Sequence, residues 1–569
     1  MSVKAQGFKT GGWIAILGLL CGFCFGGAAG AETGAVRIGV LNLPESLNYF
    51  GATDVYSRRV LSLLHMPLYI RSPRGGKMVP WLAESQPLME GPGEKATIRL
   101  RKARWDDGSM VTAHDLAFTV KVIQDFKVPG QIEKWEIVKD VEVVDDQTIR
   151  FILREASPTF ISRTLQTGFV QKTDWEPIIR ALKEEKAPLE RLLGYRPVRV
   201  VGNGPFSMTR AGTPYIQVLK ANRSFFASGM DIDGLEVGPY VDALFLILYP
   251  DDEEATAALT AGDIDFIWGD VPVHHTPALR HNANITLYRN VRSGYDWIGF
   301  NLNRAPFSDR AFRSAISFLV ERGQIVRHVL KDEGEPVLSV IPPGNIFWRN
   351  PRIQTLGHDL GHEKRLAEAR DALARAEYAW SDGALVLPDG NKMARADLLI
   401  ANAGNRPDRL KTARIIQKWL GALGVSIRMH MEPMDHAMDR LRGNDFDMVL
   451  MGWASLPDDP DYLRTFFHSR EAEPFGRNTT RFRNTRFDDL AQRAYGEVDP
   501  DERRRLVFEM QELIAQELPC IPLYAMTRIE AVRSDAAKGW IGSPAGIGNL
   551  WSFLNVRIVR QGNAGVEGE

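Results

Sequence analysis

Apolar and polar positions set the reading of this chain, most clearly between residues 397 and 451. Asp397–Ile400 is a short apolar run. Arg409–Leu423 places Leu410, Ala413, Ile416, Leu420 and Leu423 on one face at helical spacing. Pro407 lies near its start and Gly424 just past its end, as helix boundaries prefer. Val425–Met431 predicts a strand, Met434–Arg442 a helix ended by Gly443, and Met448–Met451 a third strand. Alternating strands and helices predict a parallel sheet, with ligands at the carboxyl ends of its strands. The last strand runs into Gly452-Trp453-Ala454-Ser455-Leu456-Pro457-Asp458-Asp459-Pro460, an aromatic, polar, proline-stiffened loop at such an end.

A second unit repeats the pattern. Ala243–Tyr249 predicts a strand, Asp252–Ala261 a helix with Gly262 at its end, and Ile264–Trp268 a strand leaving into Gly269-Asp270. Two α/β units, each presenting Trp and Asp at a strand end, predict two lobes that face one another across a cleft. Elsewhere, Val36–Leu41 reads as a strand with Asn42 in the loop after it, and Asp54–Leu64 as a helix. Residues 81–199 read as antiparallel β with a few helices. In that stretch Asp107-Gly108 marks a turn, Thr112 and Asp115 an imperfect capping box, and Ile178–Leu193 one amphipathic helix. Tyr295–Asn301 is an aromatic strand, Asp309–Leu319, Leu360–Trp380 and Arg503–Leu518 are helices, and Ile521–Ala525 is a strand. Val200–Ser207 is a tight turn into a strand. As a phosphate loop it lacks Gly-Lys-Ser/Thr, and Pro205 removes an amide donor.

Composition adds an export signal. Lys4 and Lys9 precede the apolar Trp13–Phe25, and Ala29-Gly30-Ala31 is a cleavage site, leaving Glu32–Glu569. Only Cys520 then remains, so intramolecular disulfides are excluded. The 71 acidic and 70 basic residues nearly cancel, which points away from nucleic acid. His274-His275 are adjacent in a proline-flanked loop with no further Cys or His cluster, so no metal site is expected. No catalytic motif is present; a carboxylate pair could still be assembled from the many acidic residues, which leaves a secreted hydrolase as the less favoured alternative.

Several stretches together resemble the family 5 extracellular solute-binding proteins of ABC importers. They are Trp105-Asp106-Asp107-Gly108 through Asp115, Gly202-Asn203-Gly204-Pro205-Phe206, Ala261-Gly262-Asp263-Ile264-Asp265, and Ile298-Gly299-Phe300-Asn301 with Pro306–Ile316. Gly452-Trp453 through Asp459-Pro460 and Asn484–Leu490 complete the set. The resemblance implies a two-lobed α/β periplasmic binding protein with a hinge. Lobe I would comprise 32–80, 200–284 and 521–569, with a β-rich subdomain inserted at 81–199, and lobe II would be 285–520. It further implies a periplasmic monomer, not an enzyme and without a cofactor, that binds a peptide or peptide-sized solute and delivers it to an inner-membrane permease.

The expected ligand wall is Trp453, Ala454, Ser455, Leu456 and Asp458, with Trp268, Asp270 and Asn42 from the facing lobe. Tyr295 and Trp297 are expected to divide between core and cleft; if both point inward, the other face carries Asp296. Trp105, Asp107 and Asp115 are expected to fix a turn and a cap. The family's peptide receptors commonly carry an aspartate three residues after the tryptophan, paired with the peptide's ammonium, and here that position is Leu456. The departure keeps a non-peptide ligand open: an oligosaccharide, an opine-like conjugate, a metal chelate or haem.

Overall fold

The computed structural model describes residues 34–559, apart from 75, 92, 93, 273, 403–405, 474 and 475. The export signal (1–31) and the glycine-rich tail after Arg560 lie outside the described residues.

A twelve-stranded sheet organises the described chain. At one end Ala396–Asn402 lies between Ile427–Pro433 and Met448–Gly452, parallel to both. Helices Pro407–Ala422 and Met434–Arg442 make the crossovers. At the other end Ala35–Val40 lies parallel to Ala243–Leu248 on one side and Phe266–Ile267 on the other. Both predicted α/β units are therefore present, one in each half. The central strands Ala396–Asn402, Met448–Gly452 and Ala243–Leu248 are largely apolar because helices cover them, with Leu398, Ile400 and Leu450 fully buried, whereas the edge strand Ile427–Pro433 carries Arg428, His430 and Glu432.

One strand, Cys520–Arg533, joins the halves. Its first residues pair with Asp296–Gly299, and Thr527–Arg533 pairs with Ile285–Val291. The expected return at 520/521 thus falls inside a single strand, whose opening residues still belong to the sheet of the second half. The connection Arg292–Tyr295 crosses beside it. Beyond the main sheet, a four-stranded antiparallel sheet of Leu88–Glu90, Lys95–Arg99, Val138–Asp145 and Thr148–Leu153 packs on helix Ala113–Phe126 with its own apolar core.

Local chemistry explains several details. Thr112 and Asp115 form a complete capping box, and Asp115 also accepts from Trp105 Nε1 at 3.3 Å. Gly202 and Gly204 allow close approach to the Leu63–Leu64 main chain, where a side chain would collide. Asn203 then accepts from the Met66 amide at 2.7 Å. The single helix expected at 178–193 is two, Lys172–Lys183 and Pro188–Gly194. Ala187 takes a left-handed conformation and Pro188 restarts the helix, since proline cannot continue one. The helix expected at 360–380 is His362–Arg375, because Glu377 turns left-handed and Ala379–Ser381 becomes a hairpin strand.

Leu450→Ala is expected to destabilise the protein by about 2–5 kcal/mol, the cost of a cavity in a fully buried central strand. Urea denaturation checks it; a loss below about 1 kcal/mol would mean that the site collapses freely or is not core.

Candidate functional site

Trp453 follows directly from the strand Met448–Gly452, and its amide donates to the Tyr295 carbonyl at 3.1 Å. The half-buried indole stacks on Trp297 (4.9 Å, 22°) and on Phe466 (4.9 Å, 7°), and meets Tyr295 edge-on at 5.2 Å. The chain thus supplies stacking partners for Trp453 itself and leaves the indole only partly exposed. Tyr295 and Trp297 do not divide between core and cleft. Both are buried in one apolar cluster with Leu456, because residues two apart on a strand share a face. The Tyr295 and Tyr462 hydroxyls both donate to the Val340 carbonyl, at 2.9 and 3.3 Å. Ala454 and Ser455 are exposed, and the Ser455 hydroxyl lies 3.0 Å from that of Ser293.

The opposite strand face carries Asp296, 3% exposed. Its carboxylate accepts from Arg409 Nε at 2.7 Å and Arg406 Nη2 at 2.6 Å. Arg406 also pairs with Asp408, which accepts from the Tyr524 hydroxyl at 3.2 Å. Burial disfavours the Arg406 charge, but hydrogen bonds and charge from Asp408 and Asp296 outweigh it and raise its pKa. Burial likewise pushes the Asp408 carboxyl up, and Arg406 more than reverses this. Gly452 lies directly against Asp296, where a Cβ would collide with the carboxylate. This network sits at the carboxyl end of Ala396–Asn402, where the sheet topology puts ligands. The charge run Arg406-Pro407-Asp408-Arg409 after that strand was its signal in the sequence.

The facing loop differs from expectation. Trp268 is core, 2% exposed: its Nε1 donates to the Gly548 carbonyl at 2.8 Å and its ring abuts Phe553 edge-on at 5.1 Å. It is therefore not an open ligand wall, because both its polar edge and its apolar body are satisfied within the chain. A small cavity of about 50 Å³ flanks it, lined among others by Leu41, Tyr56 and Asp270. Asp270 is held by Arg292 and by Arg528 Nε at 2.8 Å. Asn42 is exposed.

The segment 292–294 brings the two loops together. Arg292 holds Asp270, Ser293 meets Ser455, and Gly294 lies so close to the Trp453 and Ala454 main chain that a side chain would not fit.

Asp458 already has a cation: Arg71 Nε is 3.0 Å away, and Asn345 Nδ2 donates to the Asp458 carbonyl at 2.7 Å. Arg71 lies in the first half of the chain, and nothing in its local sequence marked it. Asp459 is nearly enclosed, with Arg503 at 2.7 and 2.8 Å and the Ser162 hydroxyl at 2.9 Å.

Among the described residues no group of three His, Cys, Asp or Glu side chains could hold a metal ion. Burial pushes the Cys520 thiol up to about 12, which leaves it a weak nucleophile.

Burial raises the Asp459 carboxyl, but Arg503 outweighs this and its pKa lies below the ordinary value. A depressed pKa in the folded state adds stability that is fully present above about pH 4 and is lost as pH falls further. Asp459→Asn is therefore expected to cost about 3–5 kcal/mol at pH 7, where Arg503 is left unpaired. Its deficit against the wild type should narrow below about pH 4. Urea denaturation across that range checks both; parallel curves would contradict the pairing.

Comparison with known proteins adds the following. The model of the bacterial extracellular solute-binding proteins, family 5 Middle, matches residues 77–474. The oligopeptide-binding protein AppA of Bacillus subtilis (strain 168) is 26% identical over 501 residues, 87% of this chain and 86% of that protein. Heme-binding protein A of Haemophilus influenzae is 26% identical over 412 residues, 72% of this chain and 69% of that protein. The structure of HbpA2 from Haemophilus parasuis superposes with a TM-score of 0.75 at 20% identity, over 92% of this chain and 99% of that one.

Proposed function

The chain belongs to the bacterial extracellular solute-binding proteins, family 5, the non-catalytic solute-binding proteins of ABC transporters, and we propose that it captures a peptide-sized solute lacking a free ammonium at the Trp453 loop. One observation carries this reading: the position three residues past Trp453 is Leu456, buried in the apolar cluster, and the nearby Asp458 is already paired with Arg71. An ammonium buried there would have no free carboxylate, at a cost of several kcal/mol. What the loop offers is the partly exposed indole of Trp453, the exposed Ser455 hydroxyl and main-chain groups. Such a site suits an apolar or aromatic portion with a few polar contacts.

Related proteins are named for both an oligopeptide and haem, so family membership leaves ligand chemistry open. An ordinary peptide is the second reading, favoured by the likeness to AppA along most of the chain. In either case the protein is exported to the periplasm, acts as a monomer and presents its loaded form to an inner-membrane permease. Lobe I is 32–80, 200–284 and 521–569 with the insert 81–199, and lobe II is 285–520. The separate apolar clusters support that division, and the strand Cys520–Arg533 runs across its 520/521 boundary. Solute touching both lobes favours the closed state through its differential affinity for the two states.

Mass spectrometry of the protein purified from its native host is expected to recover a peptide-sized solute. With that solute, Trp453→Ala should bind about tenfold or more weakly by calorimetry, a loss of about 1.4 kcal/mol, while circular dichroism stays native. Unchanged affinity would remove Trp453 from the site, and a recovered oligopeptide with a free amino terminus would favour the second reading.

A further inference from the structure

Arg322 opens the short helix Arg322–His328 and is 6% exposed. Its Nε donates to the carbonyls of Val337 at 2.9 Å and Pro522 at 2.7 Å. A guanidinium carries four further N–H donors on its terminal nitrogens. None of those on Arg322 has a hydrogen-bond or ion-pair partner among the described residues.

This sets Arg322 apart from the other buried arginines. Arg409 and Arg503 bind carboxylates directly. Arg313, Arg365 and Arg481 donate to main-chain carbonyls, and each also has a carboxylate in its electrostatic surroundings: Glu517, Glu321 and Glu473 respectively. The charged group that acts on Arg322 is Arg365, of the same sign. The adjacent Glu321 is engaged by His362 Nδ1 at 2.6 Å.

Arg322 lines a cavity of about 50 Å³ together with Ser317, Ser339, Thr355, Gln511 and Cys520. The Ser339 hydroxyl is spent on Gln511 Oε1 at 2.8 Å, whereas the Ser317 hydroxyl has no partner among the described residues. A water fills roughly 10–15 Å³ measured this way, so the cavity takes a few waters or one tetrahedral ion, and excludes a peptide-sized solute. A buried cation without counter-charge costs several kcal/mol. An oxyanion accepting two parallel guanidinium N–H bonds offsets that cost.

We propose that this cavity is a binding site for a small inorganic oxyanion, phosphate or sulfate, held by the terminal nitrogens of Arg322 with the Ser317 and Thr355 hydroxyls beside it. The site is separate from the solute loop, though the Leu338–Val340 segment that lines it ends at the carbonyl that braces Tyr295 and Tyr462.

Calorimetric titration of the full-length mature protein with inorganic phosphate, in chloride buffer of constant ionic strength, tests this. Saturable one-to-one binding is expected. Arg322→Gln should weaken it by roughly tenfold or more, the value of hydrogen bonds to a charged group. Ser317→Val leaves both carbonyl contacts of Arg322 intact and keeps the test valid if the arginine variant fails to fold; it should weaken binding several-fold. Absence of saturable binding at tens of millimolar phosphate, or equal affinity in wild type and Ser317→Val, would overturn the proposal.

Discussion

Everything in this protein depends on one strand serving two halves of a sheet. Cys520–Tyr524 bonds to Asp296–Gly299, and Thr527–Arg533 bonds to Ile285–Val291. Buried backbone amides and carbonyls must be paired, so neither set of bonds can be given up cheaply. The halves are therefore joined by continuous strand and not by a slack linker. The partners change at 292–295 and at 525–527, where Gly334–Pro336 also joins the strand, and such changeovers are the kind of position that absorbs hinge rotation. Both tryptophan loops rest on the first of these segments, through Arg292 and Asp270 on one side and Ser293, Gly294 and the Trp453 loop on the other. Bending at the crossing would move the two loops relative to each other.

Arginine fixes the acidic side chains of this region. Asp270, Asp296, Asp458 and Asp459 each have a guanidinium partner. For the buried Asp296 and Asp459 the cost of removing charge from water offsets most of the attraction, and the more exposed Asp270 and Asp458 pairs are screened by solvent, so the pairs contribute little net stability. What they provide is position: Asp296 sets the floor beneath Gly452, and Asp459 with Arg503 anchors the far end of the loop. A loop held in place before the ligand arrives spends less binding energy on ordering. The same pairing removes these carboxylates as ready anchors for an ammonium group.

Much of the fold was legible in the pattern of apolar positions. The strand–helix alternation from 397 to 451 and from 243 to 268 locates both parallel units, since short apolar runs there alternate with longer stretches of helical spacing. The position of Trp453 at a strand end followed directly. Less visible was anything decided by register between distant segments. That Tyr295 and Trp297 share a face follows from their spacing, but that this face is the buried one depends on the packing of Asp296–Phe300 between two partner strands. Trp268 had equal local credentials to Trp453, and its burial depends on Gly548 and Phe553 from the end of the chain. The second half of the joining strand, Met526–Arg533, mixes charged and apolar residues and reads as irregular until its neighbour Ile285–Val291 is in place. Arg71 and Arg322 gave no local signal, since their importance lies in which charges stand near them.

We propose that a solute bound between the halves drives closure about the crossing strands. Small-angle X-ray scattering on the protein with its co-purified solute, and on the same sample after stripping by mild unfolding and refolding, tests this most directly. A smaller radius of gyration is expected in the loaded protein, restored when the solute is added back. Identical scattering in both states, with binding verified by calorimetry, would contradict it.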